Sequence, residues 1–124
     1  MNVTVYLSVA LGGAVGSVAR FSLSRGLSFV WPGFPVGTLA VNLLGSFFIG
    51  ILAVWAFDKN IIISPWREFF ITGFLGGLTT FSTFAYENLV LLQTGRYRDL
   101  FLYLAGNLLL GFLLVMAGRF LGRM

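Results

Sequence analysis

With 124 residues, 58% of them hydrophobic, only 10% charged and a mean hydropathy of +0.94, the chain is too apolar for a soluble domain and reads as an integral membrane protein. It has no cysteine and no histidine, which removes disulfide frameworks, thiolate chemistry and nearly every transition-metal site from the expected functions. The net charge of +4 does not point to nucleic acid, because the basic residues are spread over helix ends and short loops, where they anchor spans at the interface.

The opening Met1-Asn2-Val3-Thr4 lacks a basic leader and a small-residue cleavage site, so the first apolar segment is expected to stay as a span. Four stretches are long enough to cross a bilayer, which takes about 20 apolar residues. They are Val3–Arg25, Phe34–Phe57, Arg67–Leu92 and Leu100–Leu121. The connections Gly26–Gly33, Asp58–Trp66 and Thr94–Asp99 carry turn residues and charges. The expectation is an all-α membrane protein with one four-helix domain over 1–124, antiparallel neighbours and both termini on the same side.

Orientation follows the Lys/Arg bias of short loops. Lys59, Arg67, Arg119 and Arg123 fall on the side of the termini, and Arg20, Arg25, Arg96 and Arg98 on the other, four against four. A chain without a bias has no instruction to choose one orientation. Insertion both ways, and hence an antiparallel, dual-topology homodimer, is the expected consequence; a weak bias survives if one Arg is hidden inside a helix.

In the first span Ser8, Gly12, Gly16, Arg20 and Ser24 recur at steps of four, with Gly13 and Ser17 alongside. Small residues on one face allow close helix packing in lipid. Arg20 lies inside the span and must either line a wet vestibule, drawing anions inward, or snorkel to the headgroups. The second span carries Thr38, Asn42 and Ser46 on one helical stripe. Asn42 sits near mid-membrane with two amide donors in need of partners, as interhelical glue or as part of a pore.

The third span is interrupted by Gly73-Phe-Leu-Gly76-Gly77-Leu-Thr79-Thr80-Phe81-Ser82-Thr83-Phe84-Ala-Tyr-Glu87. Adjacent glycines and a run of hydroxyl residues weaken a helix, so the backbone is expected to unwind or turn here. Broken backbone at that depth survives only where protein, water or an ion satisfies it, and such breaks are where ion sites recur in membrane proteins. Phe81 and Phe84 bracket Ser82 and Thr83, and ring edges are positive. The fourth span adds Tyr103, Asn107 and Gly111 at steps of four, with Gly106, Gly118 and Gly122 as close-packing sites.

The acids Asp58, Glu68, Glu87 and Asp99 fall at expected span ends or in loops. No intramembrane carboxylate is expected, and no nucleophile has a base at readable spacing, so an enzyme is not. Stripes of Ser, Thr, Asn, Tyr and Phe suit an anion or a neutral solute, with donors replacing the water of hydration.

The runs Gly12-Gly-Ala-Val-Gly-Ser-Val-Ala-Arg20-Phe21, Gly37-Thr-Leu-Ala-Val-Asn42-Leu-Leu-Gly-Ser46 and Gly73 through Glu87 closely resemble the Fluc (CrcB) fluoride channels, over all four spans. The resemblance implies a dual-topology homodimer in the bacterial inner (plasma) membrane with two pores, passive and selective for fluoride over chloride, that relieves cells of fluoride. It also implies that Phe81 and Phe84 are the pore phenylalanines and Asn42 the pore asparagine. Thr38, Ser82, Thr83 and Tyr103 would form the polar track. Backbone carbonyls of Gly76 and Thr79 would hold a structural sodium ion at the dimer axis. Asn107 stands where some relatives carry a small hydroxyl residue, and joins Arg20 as a possible vestibule group. Two rivals remain: a small multidrug exporter, which needs a membrane-embedded Glu on the first helix that is absent here, and a membrane scaffold in which the stripes are only glue.

Overall fold

The computed structural model describes residues 2–124, and four helices long and apolar enough to span a membrane account for most of them. We label them α1 (Val3–Leu27), α2 (Val36–Asp58), α3 (Glu68–Gln93) and α4 (Tyr97–Arg123). This is a multi-pass membrane protein. The expected spans lie within a few residues of these, the largest offset being the start of α4 at Tyr97. There Asp99, placed in a loop by the sequence, is buried in the first turn of the helix and paired with Arg96.

Local chemistry sets the ends. The Asn2 side chain caps α1 by accepting from the Thr4 N–H at 3.0 Å. Pro35, which cannot donate a backbone hydrogen bond, immediately precedes α2. α3 closes on Gly95 at φ 73°: Arg96 N–H donates to Leu91 C=O at 2.9 Å and Gly95 N–H to Leu92 C=O at 3.2 Å, the paired bonds that a left-handed residue permits at a helix end.

Two glycine seams join the helices. In α1, Gly12 and Gly16 meet the backbone of α3 at Phe69 and Phe74, where a Cβ would collide with a carbonyl oxygen. In return, a Cβ on Gly73 would lie 2.7 Å from the Val9 carbonyl oxygen, and one on Gly77 2.7 Å from that of Gly13. α2 and α4 pack likewise, Gly50 facing Val115 and Gly118 facing Phe47. At the membrane edge Arg119 of α4 pairs with Asp58 of α2 at 3.2 Å.

α3 is broken. Its first part runs over residues 68–78, with π-helical hydrogen bonding from Glu68 to Leu75; its second is Ser82–Gln93. Between them Thr79 is extended, at φ −85° and ψ 156°. The adjacent Gly76 and Gly77, expected to unwind, stay helical, because Gly77 is held against α1. The chain departs from the helix at the threonines instead.

Candidate functional site

The break at Thr79–Phe81 is stabilised from α2. The Thr80 N–H, which in an unbroken helix would meet the Gly76 carbonyl, donates instead to Asn42 Oδ1 at 2.9 Å. Asn42 Nδ2 donates back to the Thr80 carbonyl at 3.2 Å. One amide thereby satisfies both backbone groups of the residue at the break, as a neighbouring strand would. The second Nδ2 hydrogen goes to Asn107 Oδ1 of α4 at 2.8 Å. Thr80 also caps the second half-helix, its Oγ1 accepting from the Thr83 N–H at 3.3 Å.

That capping bond takes the donor that the Thr79 carbonyl would otherwise meet. The carbonyls of Gly76 and Thr79 therefore both lose their helical partners, while that of Gly77 accepts from Arg20 Nε at 2.9 Å. Gly76 and Thr79 line the same cleft, and freed carbonyls at the C-terminal end of a half-helix form a partly negative site suited to a hard cation. The other side of the break begins a 12-residue helix, whose first N–H groups favour an anion.

The cleft has a volume of about 570 Å³ and is lined by Asn42, Ser46, Thr79, Thr80, Phe81, Phe84 and Asn107, among others. A second cavity, of about 360 Å³, lies one turn away on α2 and is lined by Thr38, Glu87, Ser24, Phe34 and Leu91, among others. Tyr103 is fully buried, its ring 5.3 Å from that of Phe84 and 5.7 Å from that of Phe34. The Tyr103 hydroxyl is buried without a hydrogen-bond partner among the described residues.

The two candidate phenylalanines are placed unequally. Phe84 is 7% exposed and packs inside, whereas Phe81, 6.0 Å away between ring centres, is 77% exposed on the outer surface. Ser82 is exposed and Thr83 half-buried; neither lines either of these two cavities. Nor does Arg20, whose guanidinium is engaged with the first half of α3.

A further expectation is overturned. Glu87 is not at a span end: it lies within α3, half-buried, and its Oε1 accepts from the Thr38 hydroxyl at 2.6 Å. The polar stripe of α2 thus meets a carboxyl group inside the bundle. Helical spacing carries the signal, because Glu87 falls three residues after Phe84 and four before Leu91, both of them buried. Thr80, the anchor of the break, has no such periodicity to expose it.

The family model described as CrcB-like protein, Camphor Resistance (CrcB), matches residues 7–119. A protein of Campylobacter fetus subsp. fetus named fluoride-specific ion channel FluC is 49% identical over 115 residues, covering 91% of this chain and 89% of the relative. Proteins of the same name from Thermococcus kodakarensis and Aquifex aeolicus are each 45% identical, over 99% and 95% of this chain and 99% and 96% of their own lengths. With the family model spanning nearly all of the sequence and relatives this similar along their whole length, the chain belongs to the CrcB family of membrane proteins.

Proposed function

We propose that the chain is a passive fluoride channel, selective for fluoride over chloride, that works as an antiparallel, dual-topology homodimer in the inner (plasma) membrane. The observation that carries this reading is the bracketed break: backbone unwound in mid-span, held by Asn42 and set beside Phe84, in a chain whose relatives are named fluoride-specific ion channels. A small anion stripped of water needs donors at each step. The Tyr103 hydroxyl, the positive edge of Phe84 and the N–H groups opening Ser82–Gln93 supply them, and Thr38 can join them only by releasing Glu87; Ser82, Thr83 and Phe81 complete the track. No bond is made or broken, so catalysis plays no part.

The dimer follows from two features. The Lys/Arg count is balanced, and the cleft holds the Gly76 and Thr79 carbonyls, which have lost their helical partners, on a face of the single chain that lipid cannot satisfy. A second copy laid there covers that face together with the exposed Phe81 ring. Carbonyls of Gly76 and Thr79 from both copies would hold a structural sodium ion, which supplies positive charge where backbone oxygens lack donors.

Liposomes loaded with fluoride or chloride test the reading. Fluoride is expected to leave down its own gradient and chloride to remain, and Phe81→Ile or Phe84→Ile to cut the flux sharply in a dimer that still assembles. Normal flux from both variants removes the rings from the mechanism. Labelling of a C-terminal tag from both membrane faces is expected; labelling from one face defeats dual insertion.

The interior position of Glu87 favours one other reading, a proton-coupled exporter. Flux that needs an imposed proton gradient would establish it.

A further inference from the structure

We propose that Asn107 is a positioning residue that acts on the break through Asn42, not a vestibule group. The inference rests on the channel reading only for its effect on flux. A backbone carbonyl can only accept, so the bond from Asn107 Nδ2 to Tyr103 C=O, 3.0 Å long, fixes which end of the Asn107 amide faces its own helix. Oδ1 must then face α2, where Asn42 Nδ2 meets it at 2.8 Å. Asn42 is thus fixed by three bonds: two to Thr80 and one to Asn107. Three spans are tied at a single carboxamide.

The fourth span is shaped for this contact. Its helix opens into π-type hydrogen bonding over Gly106–Leu110, a local change that re-aims side chains. The buried Gly106 faces Leu39 of α2, and a Cβ there would lie 3.1 Å from Leu39 Cδ1, a tight contact with the tip of a flexible side chain. Without the Asn107 acceptor, one Asn42 hydrogen points into the cleft unpaired. The amide then swings to satisfy it, and the Thr80 bonds lengthen.

The test compares Asn107→Leu, which keeps the branched outline and removes the hydrogen bonds, with Asn107→Asp, which as the neutral acid favoured between the spans keeps an acceptor for Asn42 and a donor for the Tyr103 carbonyl. The whole protein is reconstituted in lipid nanodiscs with 15N-threonine, and the backbone amide resonance of Thr80 is followed beside fluoride efflux from liposomes. Asn107→Leu is expected to move the Thr80 resonance toward its position in Asn42→Ala, and Asn107→Asp to leave it near the parent position. Flux through Asn107→Leu is expected to fall about tenfold, the scale set by one buried donor left unpaired. An unmoved Thr80 resonance in Asn107→Leu overturns the proposal, as does an equal displacement in both variants, which would make packing the cause. If Asn107→Leu does not assemble, Asn107→Ala, which has neither donor nor acceptor, replaces it under the same outcomes. A parent protein that passes no fluoride refutes the channel reading and leaves the Thr80 resonance to judge Asn107.

Discussion

The two halves of α3 are held in opposite ways. Residues 68–78 lie against α1 backbone to backbone at Gly12, Gly16, Gly73 and Gly77, with the Arg20 side chain bonded to the Gly77 carbonyl at the end of the seam. Ser82–Gln93 is held at a distance by side chains: Phe84 on Tyr103, and Glu87 under the Thr38 hydroxyl. Helices in lipid gain little from burying apolar surface against each other, so close approach and hydrogen bonds must supply the attraction. The first half uses approach and leaves no room between itself and α1, though its far side, at Leu75 and Gly76, borders the cleft. The second uses side chains, which leaves cavities between them where a solute can be accommodated.

If that contrast is real, the largest effect of any substitution falls on the glycine seam. Gly16→Leu places a side chain where a Cβ alone already collides with the Phe74 carbonyl, and the obstacle is backbone, which cannot rotate away. The expected cost is about 3 kcal/mol or more, the upper range for overpacking, and the helices separate. Size-exclusion chromatography and a thermal melt in detergent check this. A folded protein with an unchanged melting point would mean that the seam is looser than described.

The next effect is smaller and falls on function. Thr38→Val keeps the shape of a buried side chain and removes the donor to Glu87, leaving a carboxyl group inside the bundle without that partner. Fluoride efflux is expected to fall about tenfold while assembly is retained, since the loss is one hydrogen bond to a polar interior group. A Thr38→Ser variant restores the donor and is expected to recover most of the flux. Equal loss in both variants would assign Thr38 to packing and blur the distinction between the two halves.

The same contrast explains what was legible beforehand. Spans follow from apolar length, and the glycine face of α1 from its steps of four, because both depend on neighbours along one helix. The break was readable as a stretch but not as a position. Local propensity points at Gly76-Gly77, whereas contact with α1 keeps Gly77 in the helix and Asn42, 38 residues away, supplies the bonds that let Thr80 leave it. Glu87 reads as a span-end residue from its distance to the loop, whereas the face it occupies turns it toward Thr38 inside the bundle. Arg20 reads from the sequence as a vestibule or headgroup residue, and in the structure its partner is a carbonyl 57 residues on. At the break, at Glu87 and at Arg20, a long-range partner overrides a local rule.

The smallest effect is expected outside both seams. Gly26, in the last turn of α1, has nothing within 4 Å of where its Cβ would stand. Gly26→Ala removes backbone freedom from the unfolded chain and meets no obstacle, so stability is expected to rise, by at most about 1 kcal/mol. A thermal melt of the single chain and of the assembled protein separates two cases. If both rise or stay level, the end of α1 faces lipid or water. If the assembled protein alone melts lower, the open space beside Gly26 is filled by a second copy, and the dimer contact extends beyond the cleft at Asn42 to the end of the first helix.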